Sequence, residues 1–252
     1  MAKLAIVILA KNEEKNIKAV IANAKRCTDE VIILDSGSTD KTIEIAIHEG
    51  ARTLFRAWTN DFAAQRNFVL DKTEAIWVLY LDADERLSDE LINAINAVTT
   101  SKNLDKQYIV RRRSHAFGQQ FKHGVLRPDS VARLFPRERV SWESKVHERP
   151  ICSLKAEELP GYIEHYTYES WQQYFGKFNQ YTTLWAEEAC KKGKRTTAAG
   201  AFGHAAYAFI QMTLFKRGIL DGWLGLALCC NHFSYTLTKY LKLKEIQEKD
   251  KE

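Results

Sequence analysis

The sequence predicts an α/β fold: a mostly parallel, Rossmann-like sheet flanked by helices, with a helical appendage at its carboxyl end. Three observations carry this. Continuous apolar runs recur through the first hundred residues, as in strands covered on both faces. Between the runs, apolar residues return at helical spacing, and strand–helix alternation of this kind implies a parallel sheet. From Ser170 onward the pattern is helical, with Trp171, Tyr174, Phe175, Phe178 and Trp185 forming a stripe.

The elements follow in order. Leu4–Ala10 (LAIVILA) reads as a buried strand, and Ile17, Val20, Ile21 and Ala24 as the inner face of a helix. Val31–Leu34 predicts a second strand. Ile43, Ala46 and Ile47 predict a second helix, which Gly50 is placed to end. A short strand near Thr53–Phe55 precedes a helix over Phe62–Leu70. Ile76–Leu81 predicts another buried strand, and Leu91, Ile92, Ile95 and Val98 share one face of the next helix. After Lys102 the rhythm changes. All four prolines fall within residues 128–160, among short β-like pieces at Tyr108–Arg111 and Val131–Phe135, which predicts an irregular, partly antiparallel extension of the sheet.

Composition sets bounds. The 252 residues are 45% hydrophobic and 27% charged, which excludes wholesale disorder. The net charge of +5 is uneven: residues 1–110 have a balance of −3, residues 111–150 of +6 and residues 151–252 of +2. An anion is expected at the middle block. Five cysteines without a C-x-x-C pair argue against a disulfide framework or zinc cluster and favour a reducing compartment. The apolar run Leu4–Ala10 leads straight into Lys11-Asn12-Glu13-Glu14, so a strand is expected there and not a signal peptide.

Ligands of such sheets gather at the carboxyl ends of the strands. Lys11-Asn12-Glu13 follows the first run, Asp35-Ser36-Gly37-Ser38-Thr39-Asp40 the second, and Asp82-Ala83-Asp84-Glu85 the run at Ile76–Leu81. Ser38, Thr39 and Asp40 suit helix capping, whereas Asp35 lies too far upstream of the helix for that role. Three carboxylates in four residues repel one another unless a cation is supplied. A hard divalent ion, Mg²⁺ or Mn²⁺, takes oxygen ligands and leaves room for phosphates. The competing reading is a solvated acidic turn ahead of the helix at Asp89.

The runs ILAKNEEKNI, VIILDSGSTDKT, DFAAQRN and VLYLDADE, in that order and spacing, resemble family 2 of the glycosyltransferases, which have the GT-A fold. SWESKVHERP, GYIEHYTYES and GILDGWLGL resemble a narrower branch, the short bacterial lipopolysaccharide core enzymes that add a β-linked glucose to an inner-core heptose. The resemblance implies a catalytic domain over residues 1–168, with a nucleotide-sugar half near 1–100 and an acceptor half near 101–168, and a helical region over 169–252. It implies that the segment from Leu9 to Glu13, Ala10 included, frames the nucleobase and that Asp35 contacts uracil or ribose. Arg66 falls on the diphosphate, Asp82 towards the ribose and Asp84 on the metal, with His165 a candidate further ligand. Glu148 is the candidate general base, with His147 second; the alternative is that Glu148 pairs with Arg149 or Arg139.

Arg111, Arg113, Arg127 and Trp142 are the expected acceptor contacts, since arginine suits bidentate recognition of phosphate or carboxylate. The other reading of the basic block is a solvated face. Nucleic acid is not expected, for no such motif appears. Ala198–Phe215 and Gly222–Thr238 are uncharged but contain His204, Gln211, Asn231, His232 and Ser234, so membrane spans are not expected. With flanking lysines and arginines they suit an interfacial location on an anionic cytoplasmic leaflet of the inner membrane, or a buried hairpin or dimer contact. The expected activity is inverting, metal-dependent transfer of a hexose from a UDP-sugar, glucose from UDP-glucose, to a lipid-linked or lipopolysaccharide core glycan. The rivals are a sugar-phosphate nucleotidyltransferase and a non-catalytic nucleotide-sugar-binding protein; the first needs a glycine-rich loop after the first strand, and no glycine precedes Gly37.

Overall fold

The computed structural model describes residues 3–59, 61–101, 103–143 and 149–249. Eleven strands and seven α-helices occur among them, in two compact units. The first unit holds residues up to Arg112 and from Asp129 to His165; the second holds Arg113–Pro128 and the chain from Tyr166 onward. The second unit therefore takes residues 113–128 out of the stretch expected to form the acceptor half.

The first unit opens with β1 (Leu4–Ala10), α1 (Ile17–Ala24), β2 (Glu30–Asp35), α2 (Thr42–His48), β3 (Arg52–Phe55), α3 (Phe62–Leu70) and β4 (Trp77–Asp82). β5 (Glu85–Leu87) and α4 (Asp89–Thr100) follow. The chain continues through β6 (Lys106–Ala116), β7 (Gln119–Gln120), β8 (Asp129–Pro136), β9 (Ser141–Glu143), β10 (Arg149–Ile151) and β11 (Lys155–Tyr168). The main sheet runs in the order β3-β2-β1-β4-β8-β6-β11-β5, with β7 on β6, and β9 and β10 form a separate ribbon. β1, β2, β3 and β4 are mutually parallel, whereas β8 is antiparallel to β4 and to β6. This is the α/β arrangement that the sequence predicts, parallel over β1–β4 and antiparallel in the pairings of β8 with β4 and β6.

The continuous apolar runs are explained by burial on both faces. Leu4, Ile6 and Ile8 of β1 join one apolar cluster with α1 and α4, while Ala5 and Val7 join another with Val69 of α3. β2 and β4 alternate in the same way, Ile33 and Leu79 on one side, Ile32 and Tyr80 on the other. Ile17, Val20, Ile21 and Ala24 are fully buried, as their spacing predicts. The second helix departs from expectation: Thr42 and Ala46 face inward and Ile47 is exposed.

β11 is the longest strand, and the sequence did not announce it. Gly161 in its interior has φ +90°, and a Cβ placed there would lie 2.4 Å from the backbone nitrogen of Leu91. The strand passes too close to the start of α4 for any side chain.

In the second unit, α5 (Trp171–Lys191), α6 (Ala198–Ile210) and α7 (Gly222–Lys249) pack with the 113–128 segment. Tyr174, Leu224, Leu228, Ala116 and Phe121 form its main apolar cluster. Ser170 and Thr197 cap α5 and α6 through their hydroxyls. Between α6 and α7 a π-turn (Gln211–Phe215) and a 3₁₀ turn (Gly218–Asp221) reverse the chain. No helix among the described residues is long and apolar enough to cross a membrane.

Gly161→Ala is expected to lower stability by roughly 2–4 kcal/mol, from a positive φ and a steric overlap together. Gly176→Ala, in an exposed stretch of α5 with open space at its Cβ, is expected to raise it by about 0.5–1 kcal/mol. Urea unfolding of both variants checks the pair of signs.

Candidate active site

The parallel register sets the site out. Ala10 pairs with Asp35 across β1 and β2, and Leu9 pairs with Asp82 across β1 and β4. Ala10, Asp35 and Asp82 thus end their strands at one level on the carboxyl edge of the sheet.

The two loops that follow are bonded to each other. Asn12 donates its backbone N–H to the Ser38 hydroxyl at 2.9 Å and accepts from the Thr39 N–H at 2.8 Å. The Glu13 N–H donates to the Thr42 hydroxyl at 2.7 Å, and the Glu14 N–H to the Asp40 carboxylate at 3.1 Å. Asn12 has φ +57°, a conformation asparagine tolerates better than most residues. Asp40 also accepts the Thr42 N–H and hydroxyl; desolvation alone would raise its pKa, but these bonds and the one from the Glu14 N–H together lower it. Of the three residues expected to cap α2, only Asp40 reaches it, bonding the N–H of Thr42 from one residue before the cap position Lys41, while Ser38 and Thr39 join the loops instead.

Asp35 is buried and organises its own turn. It accepts the N–H of Gly37 and of Ser38 at 3.0 Å each and the Ser38 hydroxyl at 2.6 Å. A carboxylate has about four lone-pair sites, so these three donors leave capacity for one more. Ala10 is buried and its carbonyl accepts the Ser36 N–H, while the Glu13 carboxylate accepts from Asn16 at the entrance to α1.

Arg66 lies in the middle of α3, only 5% exposed. Its guanidinium sits over the rings of Trp142 and Tyr80, at 4.7 and 5.2 Å from their centroids. Asp82 is 3.7 Å away. The Tyr80 hydroxyl donates to the Arg66 carbonyl, which ties the helix turn to β4. Trp142 corrects the sequence expectation. It is buried between Arg66, Tyr80 and Phe135, so it supports the arginine and has no face for an acceptor.

The Asp82–Glu85 turn is built around Glu85, which is fully buried. One oxygen accepts from Arg133 at 2.7 Å and Arg112 at 3.3 Å, and the other accepts the Asp82 N–H at 3.0 Å. Burial pushes the Glu85 carboxyl above its ordinary pKa against the pull of Arg133, and the neighbouring Asp82 charge adds to the rise. Asp82 goes the other way. Desolvation would raise it, but Arg133 at 3.1 Å and Arg66 outweigh that and hold it well below the usual carboxylate range. Arg86 closes the turn by donating to the carbonyls of Ala83, Glu85 and Asn16. Arg112 also grips Asp129 in a two-bond fork at 3.0 and 2.7 Å. Part of the basic block is thus spent inside the first unit and is not a free face.

β11 supplies the last component. Its pairing with β5 sets His165 opposite Glu85, and His165 Nε2 comes to 3.4 Å from an Asp84 oxygen. Among the described residues no group of three or more His, Cys, Asp and Glu side chains converges as a metal centre. Asp84 and His165 form a pair of donors, an oxygen and a nitrogen. Such a set fits a divalent ion that completes its shell with water and phosphate oxygens.

Of the other expected contacts, Arg111 is exposed and bonds Glu158 at 2.9 Å. Arg113 and Arg127 belong to the second unit, where Arg127 donates to the Gly124 carbonyl. Glu148 and His147 lie outside the described residues, in the 144–148 stretch that separates β9 from β10. In the sequence Glu85 stands out only as part of an acidic cluster, and Arg112 and Arg133 only as two of the cations of the basic stretch 111–150.

The profile of the family described as Glycosyl transferase family 2 matches residues 5–130, which spans the strand ends just described. The chain belongs to that family and is a glycosyltransferase. It is similar to an uncharacterised glycosyltransferase of Rickettsia prowazekii, 26% identical over 98% of this chain and 88% of the relative. It is also similar to a lipopolysaccharide core biosynthesis glycosyltransferase of Rhizobium meliloti, 28% identical over 76% of this chain and 73% of that one. A crystal structure of glucosyl-3-phosphoglycerate synthase from Mycobacterium tuberculosis shares 24% identity over 54% of this chain and 57% of its own, with a TM-score of 0.39.

Glu85→Gln leaves two guanidiniums facing an uncharged group in a dry site, and is expected to cost about 3 kcal/mol or more of stability. The double variant Glu85→Leu with Arg133→Met is expected to recover part of that loss, because the more deeply buried guanidinium leaves with the acid and Arg112 keeps its fork to Asp129. Chemical denaturation of the single and double variants checks the coupling.

Proposed function

We propose that this enzyme moves a hexose, glucose from UDP-glucose, with inversion onto a lipopolysaccharide inner-core or other lipid-linked glycan, at the cytoplasmic face of the inner membrane. The observation that supports the donor half is the placement of Asp35 and Asp82 at the carboxyl ends of β2 and β4, on either side of β1, with Arg66 of α3 3.7 Å from Asp82 and the Asp84–His165 pair in the turn that follows. The acceptor half is supported by the likeness to the Rhizobium meliloti lipopolysaccharide core enzyme. Membership of the family sets aside the nucleotidyltransferase reading.

The roles follow from charge and position. Asp35, held by its own turn with room for one more donor, takes a nucleoside N–H or hydroxyl. Arg66, already dry and fixed between two rings, places its charge where the diphosphate accumulates charge as the glycosidic bond breaks. Asp82, kept ionised by Arg66 and Arg133, accepts a ribose hydroxyl. A divalent cation held by Asp84 and His165 would neutralise the departing diphosphate. Glu148 takes the proton of the acceptor hydroxyl, which attacks the face of the sugar opposite the diphosphate; Arg111 contacts an acidic group of the acceptor.

Calorimetric titration with UDP and with a panel of UDP-sugars, with and without Mn²⁺, tests the donor reading. UDP is expected to bind at least about tenfold tighter with Mn²⁺, a difference of ~1.4 kcal/mol, and Asp84→Asn is expected to remove that gain. Equal affinity with and without the ion in the parent protein overturns the metal assignment.

For the base, Glu148→Gln is expected to lower turnover by roughly 10²–10⁴ while UDP-sugar affinity stays within a few fold. Turnover preserved per folded molecule would move the role to His147.

A further inference from the structure

We infer that the turn joining α6 to α7, residues 214–226, is a preformed docking surface for an anionic lipid bilayer. Leu214, Phe215, Ile219, Leu220 and Trp223 are 64, 74, 52, 63 and 73% exposed. Five large apolar side chains within ten residues form a patch that a water-soluble surface rarely shows.

The turn is tightly packed, which leaves little room for these side chains inside it. A Cβ on Gly225 would lie 2.2 Å from the Gly218 carbonyl oxygen, and one on Gly218 would lie 2.4 Å from the Cys229 sulfur. A Cβ on Gly124 would meet the Gly218 Cα at 2.8 Å, and the Gly124 N–H donates to the Lys216 carbonyl. Only glycines allow three backbone segments to approach so closely. Their approach leaves the interior of the turn full and its aromatic and aliphatic groups outside.

Charge selects the occupant. Lys216 and Arg217 stand exposed between Phe215 and Ile219. Lys122 and Arg127 are exposed on the segment bonded to the turn. The one acid of the turn, Asp221, is withdrawn: its carboxylate accepts the N–H groups of Lys122 and His123 and lies 2.9 Å from the His123 ring nitrogen. Cations mixed with Trp, Phe and Leu, with no exposed acid among them, complement phosphate headgroups above acyl chains. A second copy of this chain across a twofold axis would bring the same cationic patch against itself.

The inference deepens the lipid-linked reading of the acceptor and rests on it. Co-sedimentation of the full chain with vesicles of phosphatidylcholine alone, or of equal parts phosphatidylcholine and phosphatidylglycerol, tests it. The parent protein is expected to bind the anionic vesicles and to leave the zwitterionic ones. Phe215→Ser with Trp223→Ser, and separately Lys216→Gln with Arg217→Gln, are each expected to weaken that binding by about tenfold or more. UDP affinity of both variants is expected to match the parent, since none of these residues belongs to the donor site. Parent-like vesicle binding by the variants overturns the proposal. So does a parent dimer that Phe215→Ser with Trp223→Ser converts to monomer without any vesicle binding. UDP binding intact with vesicle binding absent sinks this proposal alone; vesicle binding intact without UDP binding supports it and sinks the donor reading.

Discussion

A carboxylate taken out of water loses hydration worth several kcal/mol, and the loss must be made good by opposite charge and hydrogen bonds fixed in place. Glu85 imposes that requirement on the first unit. Its oxygens are met by Arg133 from β8, Arg112 from β6 and the backbone of Asp82. Two separate strands, β8 and β6, are thereby held to one turn, and Asp82 is held among cations that keep it ionised. The same turn, continued into β5, pairs with β11 and brings His165 to Asp84. Without the buried acid, Arg133 would keep only Asp82 and Arg112 only Asp129, and nothing would tie both arginines to the same group.

A second constraint works at the other strand ends. The loops after β1 and β2 are polar and short of apolar contacts, so they depend on bonds to one another. Asn12, Glu13 and Glu14 meet Ser38, Thr39, Asp40 and Thr42 in a ladder of backbone-to-side-chain hydrogen bonds. Asp35, freed from capping a helix, can spend its carboxylate on the Gly37–Ser38 turn. The result is a stiff rim beside Asp82, assembled from residues that each look like ordinary turn formers. Preorganisation of this kind is what allows a polar site to act on developing charge without first rearranging.

Most of the α/β core was legible because burial on both faces writes a continuous apolar run, and β1, β2 and β4 each carry one. Helix α1 was legible for the matching reason: all four of its predicted inward residues are buried. β11 was not, since its sequence mixes Glu157, Glu158, Pro160 and Gly161 with apolar residues and shows neither a run nor clean alternation. Ile47 misled because the face of α2 is set by Thr42 and Ala46, small residues that bring the helix close to the sheet. In the site, the acidic turn was visible, but the inward direction of Glu85 depends on β5 pairing with β11, which no local pattern reveals. Arg133 and Arg112 looked like surface cations until a buried acid gave them a destination. Trp142 was expected to contact the acceptor, and its burial against Arg66 is a matter of tertiary packing alone.

The chain's path between the two units has a consequence for how the protein is made. It leaves the first unit after Arg112, lays down sixteen residues of the second, returns at Asp129 and departs for good at His165. An emerging polypeptide can therefore assemble the β1–β4 nucleus early, from neighbours close in sequence. It cannot close the acidic turn until Arg133 has emerged, nor seat the histidine until β11 is complete. The 113–128 segment waits longer still, because its partners arrive only with the final helices. Contacts of such long sequence separation form slowly, so the donor-side chemistry matures late in synthesis, after the apolar core that supports it is already in place.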